Sequence, residues 1–438
     1  MYLPGTGLAL AAGQLMGSPW IAVAVSTAAF CASVFWMVSG WLPRPYALVV
    51  ALLNAATVYG ANGWFDNYFC LGLLALGGAL VLGSVPRIAR APKLKETVPL
   101  GIGLVILVLS RPYEGGVVSI PCVMVLLWRL RGCGSVKILK LAMIPVFMLA
   151  ISIGWLGYYN WRGTGNPLLL PYVVNYRQYH ITGPFLFSHL RPIPHFHHES
   201  MQRFYTQFEL TEYRKSHSRP LWFLIWKCKV YYHTFVPDYG ILIAAGLVTL
   251  LRRRQAVILW VPVLAFFGFG LEIMMMAWAP FPQYGAPADG LLVLLIAFGL
   301  FEIRCLRLPH IDGRNFARGL VLAEAALVCS LCWNYWLRAE EPSSPIYATF
   351  ERPRIENLLL RQSGKQLCLV KYSPSHSPHE EWIYNRADLK SARIIWARSL
   401  NPEQDRKLIL AFPGRQVWLL QPDRVDAREL SAYPCRSP

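Results

Sequence analysis

Arg111-Pro112-Tyr113-Glu114-Gly115 puts a guanidinium and a carboxylate into one tight turn between two apolar stretches. A guanidinium binds phosphate oxygens bidentately, and a neighbouring Glu can orient it or act on a second substrate. The same pair could equally pin the turn. Asp66, within Gly63-Trp64-Phe65-Asp66-Asn67-Tyr68, is an acid among aromatics at the end of another apolar stretch. It reads as a carboxylate that handles an acceptor proton or a metal, or as a polar residue ending a helix at a membrane interface. His195, His197, His198 and Glu199 offer imidazole and carboxylate ligands for a divalent cation, while Pro192 and Pro194 beside them suit a solvated irregular loop. Arg162, Tyr172, Tyr176 and Arg177 lie in a turn-rich stretch and could line a groove for a charged lipid headgroup. Gln283-Tyr284-Gly285-Ala286-Pro287 reads as a ligand contact or as a helix start, and the polar run His379 to Asp388 as an acceptor-binding stretch or, better, as a structural cap.

The elements that must hold these residues are apolar. Of 438 residues, 55% are hydrophobic and 15% charged, with a mean hydropathy of +0.37. Soluble domains carry about a quarter charged residues, so most of this chain belongs in lipid. Apolar runs long enough to span, or nearly so, fall at 20–40, 45–62, 67–84, 97–110, 116–130, 139–158, 236–251, 256–274, 285–302 and 318–337. The expected fold is an α-helical polytopic membrane protein of about ten transmembrane helices. Sixteen Trp residues suit the aromatic belts of such a protein. The net charge of +18 sits in short blocks between apolar runs and not on one face, which argues against a nucleic-acid partner.

Those blocks set the expected orientation. Arg44, the Arg87 to Lys95 group, Arg129 to Lys140, Arg252 to Arg254 and Arg304 to Arg318 fall in every second loop, which places those loops in the cytoplasm. The alternate loops, including 159–235 and everything after Arg338, then face outward. Four parts follow: a transmembrane bundle with the candidate loops at 1–158, a long outer loop with interfacial helices at 159–235, further transmembrane helices at 236–338, and a small extracytoplasmic α/β domain at 339–438. In that last part Gln366 to Tyr372, Arg393 to Ala397 and Gln416 to Gln421 read as three strands, with a helix over 402–411. The ten Cys residues are scattered without metal-ligand spacing, and those in apolar runs, Cys31, Cys70, Cys122 and Cys329, read as small buried hydrophobes.

Tyr2-Leu3-Pro4-Gly5-Thr6-Gly7, Gly83-Ser84-Val85-Pro86-Arg87, Ser110 to Gly115 and Tyr158 to Pro167 together form a pattern. It resembles bacterial membrane glycosyltransferases of the GT-C superfamily, the Rgt-like and protein O-mannosyltransferase-like group, through most of the chain. The resemblance implies transfer of a sugar from a polyprenyl-phosphate donor to a glycan, lipid or protein acceptor at the outer face of the cytoplasmic membrane, with inversion at the anomeric carbon. It implies that Arg111 and Arg162, with Arg177, hold the donor phosphate, that Tyr113, Tyr172 and Tyr284 line the substrate loops, and that Asp66 and Glu114 are the catalytic acids. A divalent cation at His195, His197, His198 and Glu199 would neutralise the leaving phosphate. Family members carry a first span and a large outer loop with an acidic base ahead of the Pro-Gly segment at which this chain opens, so the expectation is a chain that begins after both.

Two other function classes fit many spans and outward Arg residues. A transporter or flippase of lipid-linked glycans needs charged residues along a path, and Glu272, Glu302 and Glu324 stand without a cationic ladder. A non-catalytic relative would bind glycolipid without transferring it.

Overall fold

Pro and Gly punctuate the chain into helices, and these residues set their ends. The computed structural model describes residues 3–60, 65, 67–183, 185–196, 199–235, 240–252, 282–308, 311–339, 345–373, 376, 381–385, 388–423 and 430–434, with 261, 265, 268 and 270. The chain is mostly helical with a small sheet. It divides into two compact units, one of residues 1–192 and 212–335, the other of 193–211 and 336–438.

The first unit contains helices α1 (Pro4–Leu15), α2 (Pro19–Trp41), α3 (Arg44–Gly60), α4 (Leu71–Arg90), α5 (Thr97–Ser110), α6 (Pro112–Leu130), α7 (Ser135–Thr164) and α8 (Pro171–Tyr179). Five stretches among the described residues are long and apolar enough to cross a membrane: Pro19–Trp41, Leu71–Arg90, Pro112–Cys133, Ser135–Thr164 and Ala286–Cys305. By length and composition the chain is a helical membrane protein. The expected span at 256–274 falls largely outside the described residues.

Two boundaries differ from the hydropathy reading for local reasons. Cys70 adopts a left-handed conformation with φ 51°, so α4 starts at Leu71 and not at 67, and it runs on past Pro86 to Arg90. Arg111 leaves the helical region because Pro112 follows it, which ends α5 and starts α6 at once. Cys329, expected to be buried, is exposed.

α4 is the hub of this unit. In lipid, packing and close backbone approach replace hydrophobic burial as the cohesive force, and small residues permit that approach. A Cβ at Gly72 would lie 2.6 Å from the Thr27 backbone, at Gly78 1.9 Å from the Pro287 carbonyl oxygen, and at Gly83 2.4 Å from the Trp36 ring. Helices α9 (Glu199–Arg203), α10 (Leu210–Ser218) and α11 (Pro220–Phe235) lead to α12 (Gly240–Arg252), α13 (Pro282–Gly285), α14 (Asp289–Cys305) and α15 (Gly313–Ala339). A six-residue π-helix, Phe204–Glu209, joins α9 to α10, within the stretch 159–235 expected to carry interfacial helices. Between α14 and α15 lies a two-residue antiparallel pair, β1 (Arg307–Leu308) with β2 (Ile311–Asp312).

The helix ends of the first unit sort into two sets. At one end Arg87 donates to the Trp36 carbonyl at 2.6 Å and Arg90 to that of Gly40 at 2.7 Å. These guanidiniums cap the C-terminus of α2, where the helix dipole favours cations. Arg304 stacks on Tyr46, and Arg252 lies 3.7 Å from Glu302 in the same set. The other set holds the starts of α4, α6 and α14 and the end of α5.

Besides α9 and the π-helix, the second unit contains α16 (Pro345–Arg361), β3 (Lys365–Val370), β4 (Ile394–Arg398), α17 (Pro402–Ala411), β5 (Arg415–Leu420) and β6 (Ser431–Ala432). Its sheet has the order β4-β3-β5-β6, with the first three strands parallel and β6 antiparallel, so four strands stand where three were expected. Ile355 and Leu359 of α16 cover Cys368, Val370 and Trp396, while Leu408 and Ile409 of α17 cover Leu367, Leu369 and Ile395. α16 itself was unexpected: among apolar residues it sinks Ile355 and Leu359 completely, too sparse a stripe to read as a helix.

α12 and α14 meet at two glycines. A Cβ at Gly246 would lie 2.1 Å from the Leu295 carbonyl oxygen, and one at Gly299 1.9 Å from that of Leu242. Gly246→Val should therefore destabilise the bundle by about 1–3 kcal/mol, the usual cost of overpacking, as a lower melting temperature in detergent read by tryptophan fluorescence.

Candidate functional site

The α5–α6 corner is built from its own sequence. The Arg111 amide donates to the Leu107 carbonyl at 2.7 Å, and the Gly115 amide donates to the Arg111 carbonyl at 2.8 Å. A Cβ at Gly115 would stand 2.6 Å from that of Leu107, so the corner closes tightly only with glycine there. The guanidinium then projects to 3.5 Å from Glu114 and stacks over the Tyr284 ring, with Cζ 4.7 Å from its centroid. Arg111, Glu114 and Tyr284, from two distant stretches of the sequence, thus meet.

Both charged groups are mostly withdrawn from solvent, the Arg111 side chain 17% and that of Glu114 6% exposed. A single ion pair leaves several of the five guanidinium donors for a ligand. The amides in the first turn of α6 lie beside it, an arrangement that favours anions. Tyr113, half exposed, packs edge-on against Phe185 at 5.8 Å, which stacks on Phe187 at 5.2 Å. α10 holds this aromatic loop: Tyr213 donates to the Ser188 carbonyl at 2.7 Å, and a ring nitrogen of His217 lies 2.7 Å from that of Leu186.

One residue of this end escaped the sequence reading. Asp289, the first residue of α14, is 2% exposed, and its Oδ2 has no hydrogen-bond partner among the described residues. It stands five positions after Tyr284, across the 3-10 turn Ala286–Ala288, and Gly290 beside it packs against Met37 of α2 and Ala79 of α4. Ser110, Ser119 and Thr27 each also bury a hydroxyl without a partner among the described residues. Buried polar groups are rarely left unsatisfied, so each of these is a place where water or a ligand can bind. The available signal was a charge just inside an apolar run, which defaults to a functional residue in lipid.

The other expected residues stand apart. Asp66, His197 and His198 lie outside the described residues. Arg162 and Arg177 are exposed and make no hydrogen bond or ion pair among the described residues, and Tyr172 is 46% exposed. Arg191 lies over the Tyr176 ring, at 4.8 Å. His195 and Glu199 are exposed, and Glu199 pairs with Arg203 at 2.6 Å. Among the described residues no group of three or more His, Cys, Asp or Glu gathers to hold a metal ion.

The pairing at the corner is testable by a double-mutant cycle. Glu114→Ala leaves a buried cation short of its counter-ion and should cost about 3 kcal/mol in thermal unfolding, whereas adding Arg111→Ala to it should recover most of that loss. Comparison with protein-family models, with curated proteins and with solved structures found no match.

Proposed function

We propose that the chain is a membrane glycosyltransferase of the GT-C type, moving a sugar from a polyprenyl-phosphate donor to an acceptor hydroxyl at the outer face of the cytoplasmic membrane. The observation that carries this reading is the Arg111 guanidinium, mostly buried, paired with Glu114 and lying over Tyr284 at the end of the bundle opposite Arg87, Arg90 and Arg304. Under the positive-inside rule the basic end is cytoplasmic, which puts Arg111 outside and the sheet of the second unit outside as well, in a chain of about ten spans.

The step this supports is a single displacement. The acceptor oxygen forms a bond to the anomeric carbon as the bond from that carbon to the phosphate oxygen breaks, and the electron pair leaves with polyprenyl phosphate. Arg111 and the first amides of α6 stabilise the phosphate charge as it develops, which is where fixed donors contribute most. Glu114 orients Arg111, and Asp289, the carboxylate with an unpartnered oxygen, takes the acceptor proton. Tyr113 and Tyr284 flank the phosphate, with Phe185 closing over Tyr113. The divalent cation implied by the resemblance enters none of these steps.

The test uses the full chain in proteoliposomes loaded with polyprenyl-phosphate-linked hexose and with a cell-envelope extract that supplies acceptor hydroxyls, following loss of sugar from the carrier. Arg111→Ala should lower the rate at least about a hundredfold while the protein stays inserted, and Asp289→Asn should do so without weakening donor binding. A tag after Pro438 should react with a membrane-impermeant label from outside whole cells. Full activity of Arg111→Ala would overturn the site, and a cytoplasmic tag would overturn the orientation.

A further inference from the structure

In open α/β sheets ligands bind beyond the carboxyl ends of the strands, where successive connections leave in opposite directions. In the second unit that point lies between β3 and β5: the chain goes from β3 to β4 on one side, then through α17 to β5 on the other. His376 follows β3 and Asp423 follows β5, and they meet there, with Nδ1 of His376 2.7 Å from Asp423 Oδ1. The other oxygen of Asp423 accepts the Ser373 amide at 2.7 Å. The imidazole stacks on Tyr372, ring centroids 3.8 Å apart. Its side chain is 2% exposed, yet Nε2 has no hydrogen-bond partner among the described residues.

A carboxylate on Nδ1 holds the proton on that nitrogen and leaves Nε2 with its lone pair, an acceptor that waits for an O–H or N–H donor. A metal would need further ligands, and among the described residues no such group gathers. A phosphate is disfavoured by the charges around the crevice. Two cations lie on this face of the sheet, and each is already paired: Arg398 is bound to Glu381 at 2.7 Å and lies over Tyr372, and Arg352 lies over Trp396 and pairs with Glu356 at 3.0 Å. Burial and the hydrogen bond to Glu381 push the Tyr372 phenol upward, so it stays protonated and donates. The helix after β4, where a nucleotide-binding sheet would hold phosphate, carries Glu403 and Asp405 in its first turn, and Asp405 already takes the Ser399 hydroxyl and the Leu400 amide.

We propose that the crevice between β3 and β5 binds a neutral polyhydroxylated molecule, a saccharide, through a hydroxyl that donates to Nε2 of His376. The assignment does not depend on the membrane unit being a transferase. Asp423 and Tyr372 act as positioning residues that fix the imidazole's tautomer and plane.

The experiment titrates full-length protein in nanodiscs with the methyl glycosides of glucose, galactose, mannose and N-acetylglucosamine, and separately with inorganic phosphate, by calorimetry. At least one glycoside should bind saturably in the millimolar range. His376→Asn, which keeps a donor toward Asp423 but has no atom at the Nε2 position, should weaken it at least tenfold, and His376→Gln should restore part of the loss. Arg111→Ala should leave this binding unchanged, which separates the crevice from the proposed transfer site. Cys368, whose thiol burial pushes up to about 12, should resist maleimide in each variant and so report an intact sheet; if His376→Asn exposes it, His376→Gln alone carries the comparison. Binding of phosphate lost with His376, equal glycoside affinity in His376→Asn and the native chain, or no glycoside binding would each overturn the proposal.

Discussion

Close approach to α4 is the constraint on which the membrane unit depends. A helix in lipid gains little from touching another helix through Leu alone, because lipid tails offer the same contact. What α4 offers is backbone with no side chain in the way, on several sides of one cylinder. Gly72 receives α2, Gly77 receives Ile106 and Leu107 of α5, and Gly78 receives the turn before α14. The last of these matters most for the site, because that turn links Tyr284 to Asp289. A side chain at Gly78 would push on the strip of backbone that carries both the ring under Arg111 and the buried carboxylate.

The corner at Arg111 shows how a local rule becomes a functional arrangement. Pro112 forces the residue before it out of helical geometry, and Gly115 lets the two helices close. The result is a cation that does not lie along either helix and has a face left over after its ion pair. A strongly hydrated ammonium would hold this place less well, since the guanidinium both stacks on Tyr284 and keeps its donors in one plane.

Much of this was legible in the sequence, and the parts that were not have physical causes. The helices α2, α5, α6 and α7 announce themselves by apolar length, and the Arg111 to Gly115 corner by its residue types. Asp289 carried one signal, an acid inside the run 285–302, but a single charge does not say what surrounds it; that comes from α2 and α4 packing beside it. His376 and Asp423 lie 47 residues apart and meet through parallel pairing of β3 with β5, a register no short-range periodicity encodes. α16 was missed because tertiary packing of two residues, and not helix propensity, holds it against the sheet.

α7 has 30 residues and Pro145 within it. At 1.5 Å per residue it is about 45 Å long, against a hydrocarbon layer of about 30 Å. Among the five described spans it is the least enclosed, so its outer surface is free to meet lipid along most of its length. A rod that exceeds the layer by half must lean, thicken the membrane around it, or stand proud of it. Its C-terminal turns, from Tyr158 to Thr164, carry Tyr158 and Trp161 with their rings 6.1 Å apart and tilted, and then Arg162. Aromatic rings favour headgroup depth, so that pair marks the waterline on the helix and leaves Arg162 above it.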